Sequence, residues 1–285
     1  MELTAHGEQE GPSQEGDVPR ITDRVGLIVI NALSNAASGQ ERSVPYGPED
    51  RHWLDWYQPR EASAEKVCVL FIYGGNWRSG SRGDYRFVAD LLLSWGYQVV
   101  IPDYRLYPEV RFSDILGDAQ IAAKRCVELL DSDTTLIVIG HSAGAQLGAL
   151  LTLNQSLGVS DRISGFIGLA GPYDFYPFSR DEHWDLFAPE QHYPQSQAVN
   201  YVRADAAPLF LLHGRGDTTV RRGQSKSLTE KHRAAGGIAD RVVYDQVGHV
   251  GLVLSFAPLL RSLPRNQAIL ADIDRFIRSC LGDQS

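Results

Sequence analysis

Cysteine is scarce in this sequence: its 285 residues include three, Cys68, Cys126 and Cys280. An odd number at irregular spacing argues against a disulfide framework and offers no zinc pattern, so no metal is expected. Cys68 falls in a strand-like run and the other two in helix-like runs, where a thiol serves as a small apolar side chain. Long apolar runs are missing too. None approaches the roughly 20 residues that span a bilayer, so no membrane partner is expected. The first twenty residues, MELTAHGEQEGPSQEGDVPR, lack the basic start and apolar middle of a signal peptide. Residues 1–20 are expected to be a disordered tail, and the protein to be cytoplasmic. The GLIVI within Val25 to Ala37 is too short for an anchor and reads as part of a short amphipathic helix packed on the body. Positive charge is in deficit: 27 basic against 35 acidic residues give a net charge of −8. With no basic stripe, nucleic acid is a poor partner. Internal repeats and long linkers are absent, so residues 21–285 are expected to form one domain.

What is present is a hydrophobic content of 43%, enough for a sizeable core, and an alternation of strand-like and helix-like runs. RHWLDWYQP alternates in polarity and reads as a half-buried strand, whereas KVCVLFIY is nearly continuous and reads as a strand buried on both faces. YQVVIPDYR, TTLIVIG, ISGFIGLAG, APLFLLHG and RVVYDQVG supply further strands. Helices fall between them: DYRFVADLLLSWG with Asp84 as cap and Gly96 as stop, SDILGDAQIAAKRCVELL, and AGAQLGALLTL. A last helix starts near Pro264, turns Ile269, Leu270, Ile273, Phe276, Ile277 and Leu281 to one face, and stops at Gly282. Strands alternating with helices imply an α/β fold with a mainly parallel sheet covered on both faces. Residues 172–206 break the alternation with many aromatics and no clean period; an insertion of that length is expected to be a functional, lid-like segment or else a plain surface excursion with short helices.

The chemistry centres on IVIGHSAGAQLGALL. Gly140-His141-Ser142-Ala143-Gly144 is a G-x-S-x-G between an apolar strand and a helix, the setting that raises a serine on a sharp, strained turn. Glycine two residues to either side removes side chains that would clash there, and the following helix aims its N-terminal amides at developing negative charge. A serine hydroxyl needs a base. Of eight histidines, His249 in VGHVGL follows the last strand and can reach over the sheet edge; His141 lies inside the turn and is expected to point away from the partner of Ser142. Asp217 in LFLLHGRGDTTV sits on the preceding strand's loop and satisfies the order nucleophile, acid, histidine. Asp240 and Asp245 are rivals, and His213 is expected to make a structural hydrogen bond at its strand end. Donors for an oxyanion are expected from the backbone N–H of Ala143 and of Gly75 and Asn76, where Gly74-Gly75 lets the chain turn tightly.

These stretches together resemble an α/β-hydrolase of the esterase/lipase group, similar to bacterial carboxylesterases, feruloyl esterase-like proteins and kynurenine formamidases. YGGNW (73–77) resembles the family's H-G-G-x-W oxyanion loop, DYRLYPE (103–109) its D-Y-R-L-A-P-E, and GHSAGAQLG (140–148) its nucleophile turn. AGPYDF (170–175), LLHGRGDTTV (211–220) and VGHVGL (247–252) resemble the segment after the sixth strand, the acid loop and the histidine loop. The resemblance covers about residues 44 to 281 and implies an eight-stranded, mostly parallel sheet and ester hydrolysis without a cofactor. It also implies that Asp103 and Arg105 brace the oxyanion loop. One departure stands out: Tyr73 occupies the position of the usual histidine before the glycine pair. The reading that follows is a serine carboxylesterase for a small-molecule ester, monomeric or homodimeric, with Trp77, Tyr173 and Phe175 lining an apolar substrate pocket. An arylformamidase with the same triad is the second reading, and a non-catalytic binding protein on the same fold the third.

Overall fold

A computed structural model describes residues 39–61 and 66–281. The expected disordered tail, the helix within Val25 to Ala37 and the stop at Gly282 lie outside the described residues. The strands are β1 (Gly39–Pro45), β2 (Trp53–Pro59), β3 (Val67–Ile72), β4 (Gln98–Pro102), β5 (Thr135–His141), β6 (Ile163–Leu169), β7 (Leu209–Gly214) and β8 (Ala239–Tyr244). They form an eight-stranded sheet in the order β1-β2-β4-β3-β5-β6-β7-β8. β1 and β2 enter antiparallel, and every pairing from β4 to β8 is parallel. All six residues of β3 are buried, as expected for a central strand with helices on both faces. β1 was not apparent as a strand in the sequence. It lies at the edge, is exposed apart from a half-buried Gly39 and a buried Val44, and its GQERSVP carries the charges that protect an edge rather than the alternation that reveals a strand.

The longer helices are α1 (Arg86–Ser94), α2 (Phe112–Leu129), α3 (Ala143–Leu153), α5 (Gly223–Ala234) and α7 (Pro264–Ser279). Asp84 accepts the Ser81 N–H at 2.9 Å in the turn that leads into α1, and Gly96, at φ 86°, closes it. Pro264 stands in the first turn of α7, which buries Ile269, Leu270, Ile273 and Ile277. Every residue of α3 is buried. Its small residues are explained by proximity to the sheet: a Cβ on Gly148 would come within 2.8 Å of Phe166 Cε2. Between β6 and β7 the chain forms a short helix, α4 (Asp181–Leu186), and several single turns. A short α6 (Gly251–Leu254) follows the last strand's loop. No helix among the described residues is long and apolar enough to cross a membrane.

Candidate active site

The sheet delivers three side chains to one point. β5 ends at His141, and Ser142 makes the turn into α3 with φ 54° and ψ −122°. A left-handed serine costs about 1–2 kcal/mol and persists only where its surroundings hold it. Two glycines permit the crowding. A Cβ on Gly144 would lie 2.1 Å from the Ile72 carbonyl oxygen and 2.3 Å from that of Tyr73, and one on Gly140 would lie 2.4 Å from the Gly144 oxygen. The nucleophile turn is thereby pressed against the end of β3. Asp217 follows β7 and His249 follows β8. Ser142 Oγ lies 2.8 Å from His249 Nε2, and His249 Nδ1 lies 2.8 Å from Asp217 Oδ2. Because a carboxylate only accepts, Nδ1 carries the proton and Nε2 is left to accept from the serine hydroxyl.

Asp217 is fully enclosed and well supplied with donors. The N–H groups of Thr219 and Val220 reach its Oδ1 at 2.9 Å each, and His213 Nε2 approaches Oδ2 at 3.2 Å. Burial pushes its carboxyl up, but the hydrogen bonds from His213 and His249 outweigh this and hold it below the ordinary carboxylate range. His213 is fixed in turn by the Val220 carbonyl at 2.9 Å and Ser225 Oγ at 3.1 Å. The rivals are engaged elsewhere: Asp240 pairs with Arg233 at 2.9 Å and Asp245 with Arg215, both at the surface.

His141 departs from expectation. Its ring does not point away but lies against that of His249, with centroids 5.2 Å apart, and its Nε2 meets the His249 carbonyl oxygen at 3.2 Å. It therefore braces the backbone that carries the base. Burial, with the charge of His249 second, pushes its pKa down to about 3, so it is neutral and can donate one proton there.

The loop after β3 runs beside Ser142. A Cβ on Gly74 would stand 2.9 Å from Ser142 Cβ. Gly75, Asn76 and Trp77 follow with φ of 140°, 53° and 59°, three successive residues on the left-handed side. The Gly75 carbonyl, which accepts the N–H groups of Arg78 (3.0 Å) and Ser79 (3.1 Å), closes the turn. The amides of Gly75, Asn76 and Ala143 donate to no protein acceptor among the described residues.

Tyr73 anchors the base of this loop. Its ring is fully buried between Tyr85 and Tyr104, with centroids 5.4 and 4.7 Å away. Its hydroxyl donates to Asp103 Oδ1 at 2.8 Å and accepts from Arg51 Nη2 at 3.0 Å, and Tyr104 returns a hydroxyl to the Tyr73 carbonyl at 2.8 Å. Asp103 also receives the Arg82 N–H at 2.7 Å, with the Arg82 guanidinium against its other oxygen. Asp103 thus braces the loop as the resemblance implied. Arg105 does not. It forks onto Asp118, at 2.9 and 2.7 Å, and ties the following segment to α2. Arg51 and Arg82 do the bracing instead; nothing local in RHWLDW or SRGDY marks them out.

The three aromatics named as pocket walls differ. Tyr173 is fully enclosed and packs edge-on to Phe166 in β6; it belongs to the core and is withdrawn as a substrate contact. Trp77 is buried, its Nε1 donating to Gln146 Oε1 at 2.9 Å, and Phe112, His183 and Phe187 meet its ring edge-on. Phe175 stacks on Trp77 at 6.1 Å and is half-buried. Gln146 escaped the sequence reading, although it stands one turn after Ser142 on α3. Among the described residues no group of three or more His, Cys, Asp or Glu side chains is arranged to hold a metal ion.

Comparison with known proteins decides the family. The sequence model of the BD-FAE family matches residues 54–232, from β2 through most of α5. The chain belongs to the BD-FAE family. This BD-FAE chain is 28% identical over 244 residues to an isoprenylcysteine alpha-carbonyl methylesterase of Arabidopsis thaliana, covering 75% of this chain and 57% of that protein. It is 29% identical over 161 residues to a kynurenine formamidase of Danio rerio, covering 52% and 55% respectively. The chain spans less than two thirds of the length of either relative. In structure it superimposes on an inhibited esterase B of Lactobacillus rhamnosis, with a TM-score of 0.75 at 20% identity over 91% of this chain and 93% of that one. The fold is that of the α/β-hydrolase superfamily.

Proposed function

We propose that this BD-FAE protein is a serine carboxylesterase acting on small to medium esters. The observation that carries the reading is the unbroken hydrogen-bonded line Ser142 Oγ–His249–Asp217, on a serine held in the strained left-handed turn. In the first half-reaction Ser142 Oγ attacks the ester carbonyl carbon while His249 Nε2 takes its proton. The carbonyl oxygen becomes an oxyanion, which the free N–H groups of Gly75, Asn76 and Ala143 stabilise. Collapse breaks the bond to the alcohol, and His249 hands the proton to that leaving oxygen. Water then repeats the cycle on the acyl-enzyme and releases the acid. Asp217 keeps the His249 proton on Nδ1 and stabilises the imidazolium that forms at each step. Every group in this sequence comes from one chain, which suits a monomer or a homodimer with independent sites. Phe175 is the proposed acyl-side contact, with Trp77 behind it and the 172–206 segment as the lid.

The test is turnover of a p-nitrophenyl ester together with labelling by a serine-reactive fluorophosphonate. Wild type is expected to turn over and to label at Ser142, and Ser142→Ala to do neither while melting at the same temperature. Retention of more than about 1% of activity in Ser142→Ala refutes the assignment, since loss of the nucleophile costs about a millionfold in a working triad. Absence of labelling in wild type supports a non-catalytic protein instead. Similarity to a kynurenine formamidase over half of the chain favours one second reading, hydrolysis of an aryl formamide by the same triad. N-formylkynurenine turnover that matches or exceeds ester turnover selects it.

A further inference from the structure

The oxyanion loop has a partner from a distant part of the chain. Asn76 and Trp77 both stand in the left-handed region, where a non-glycine residue needs outside support. Trp77 has that support in its buried ring, its bond to Gln146, and its carbonyl, which accepts the Tyr107 N–H at 2.9 Å. Among the described residues the Asn76 side chain has one hydrogen-bond partner, Glu182, whose Oε1 receives Asn76 Nδ2 at 3.3 Å. The other oxygen of Glu182 pairs with Arg78, the residue after Trp77, and the Arg78 guanidinium sits 5.3 Å over the Tyr107 ring. Glu182 lies in the first turn of α4, 106 positions along the chain from Asn76. A single carboxylate therefore grips both ends of Asn76-Trp77-Arg78 from the lid side. Further along α4, Asp185 pairs with Arg111 at 2.6 Å and accepts the Tyr107 hydroxyl at 3.1 Å.

We infer that Glu182 is a positioning residue: through Asn76 and Arg78 it fixes the backbone amides of the oxyanion loop, so that seating of α4 completes the site. This rests on the serine-hydrolase reading above and deepens it. The grip acts where the tetrahedral oxyanion forms, so its loss falls on kcat rather than on ground-state binding.

The experiment compares Glu182→Ala, Glu182→Gln and Asp185→Asn with wild type on p-nitrophenyl butyrate, each checked for an unchanged melting temperature. Glu182→Ala is expected to lower kcat about tenfold with KM within about twofold, the scale of a small displacement in a preorganised site. Glu182→Gln keeps an oxygen for Asn76 Nδ2 and is expected to recover most of kcat. Asp185→Asn keeps an acceptor for Tyr107 and gives up only an exposed ion pair with Arg111, so α4 stays seated and kcat is expected to remain within about twofold of wild type. In a Glu182→Ala background, Asn76→Ala should add little, because the two act as a unit. Equal losses in Glu182→Ala and Asp185→Asn, a change in KM alone, or fully additive losses in the double variant overturn the inference. Ser142→Ala assayed alongside separates the two claims. An inactive Ser142→Ala beside a wild-type-like Glu182→Ala overturns the positioning role alone, and activity in Ser142→Ala overturns both.

Discussion

Removing one oxygen, by Tyr73→Phe, measures how the oxyanion loop is held. The hydroxyl joins Asp103 at 2.8 Å and Arg51 at 3.0 Å in a site closed to solvent. Burial, then the neighbouring Tyr104 and Asp103, push its pKa far up, so it stays a protonated donor across the working pH range. Hydrogen bonds to charged groups contribute about 1.5–3 kcal/mol each. Asp103 keeps Arg82 and Arg51 after the substitution, so the loss falls near the lower end, about 2 kcal/mol, or a fall in Tm of about 3 °C for a chain of this size. The ring itself stays stacked between Tyr85 and Tyr104, and the Tyr73 carbonyl keeps the Tyr104 hydroxyl. The loop backbone therefore stays in place, and kcat/KM on a p-nitrophenyl ester is expected to fall less than about fivefold. Tyr73→Ala removes the ring as well, leaves a cavity costing about 3–5 kcal/mol, and releases the loop, with activity down more than about a hundredfold. Thermal melts and steady-state kinetics on both variants decide the matter. A Tyr73→Phe enzyme as inactive as Tyr73→Ala shows that the hydroxyl, not the stacked ring, holds the loop. An unchanged Tm shows that the buried hydrogen bonds contribute nothing net.

Gly144→Ala forces a Cβ to within 2.1 and 2.3 Å of two backbone oxygens at the end of β3, neither of which can swing aside. A loss of about 3 kcal/mol is expected, together with a lower kcat as Ser142 and the oxyanion loop are pried apart; denaturant titration and ester kinetics read the two effects, and a stable, fully active variant contradicts this packing. Acid should destabilise the fold well above the carboxylate range. Burial lowers His141 to about 3, and burial with Arg180 lowers His183 to about 4, from an ordinary value of 6.5. Below pH 6.5 the unfolded chain binds protons that the folded one refuses, so stability present above pH 6.5 is lost as pH falls towards 4. Two such groups give a slope of up to about 2.7 kcal/mol per pH unit near pH 5. Urea unfolding at pH 7 and pH 5 measures it, and His141→Gln should roughly halve the slope; an unchanged slope shows that His141 is not held neutral.

The alignment of Ser142, His249 and Asp217 was legible because its geometry is encoded in local chain turns. A serine between glycines after a buried strand, an acid and a histidine on the loops after two further strands: each feature is a short segment, and a parallel sheet brings the ends of all its strands to one edge. The supports were not legible because they are contacts between segments with no common pattern. Arg51, Arg82, Tyr73 and Asp103 converge from four separate stretches, so the pattern D-Y-R-L pointed to Arg105 when the loop is held by Arg51 and Arg82. The two misplacements share that cause. Tyr173 is expected as a pocket wall and His141 as turned away from the partner of Ser142, but a residue near such a turn in sequence faces whichever neighbour packs best. His141 met His249, and Tyr173 met Phe166. The same reasoning gives Glu182 its interest. It sits in a segment whose sequence shows no period, so its place could not be read in advance. Yet the residue it grips is one whose backbone conformation the proposed chemistry needs and whose local preference opposes it. A loop that must hold Asn76 and Trp77 at φ 53° and 59° cannot do so through its own sequence alone. The support has to come from elsewhere in the chain, and α4 is where the structure supplies it.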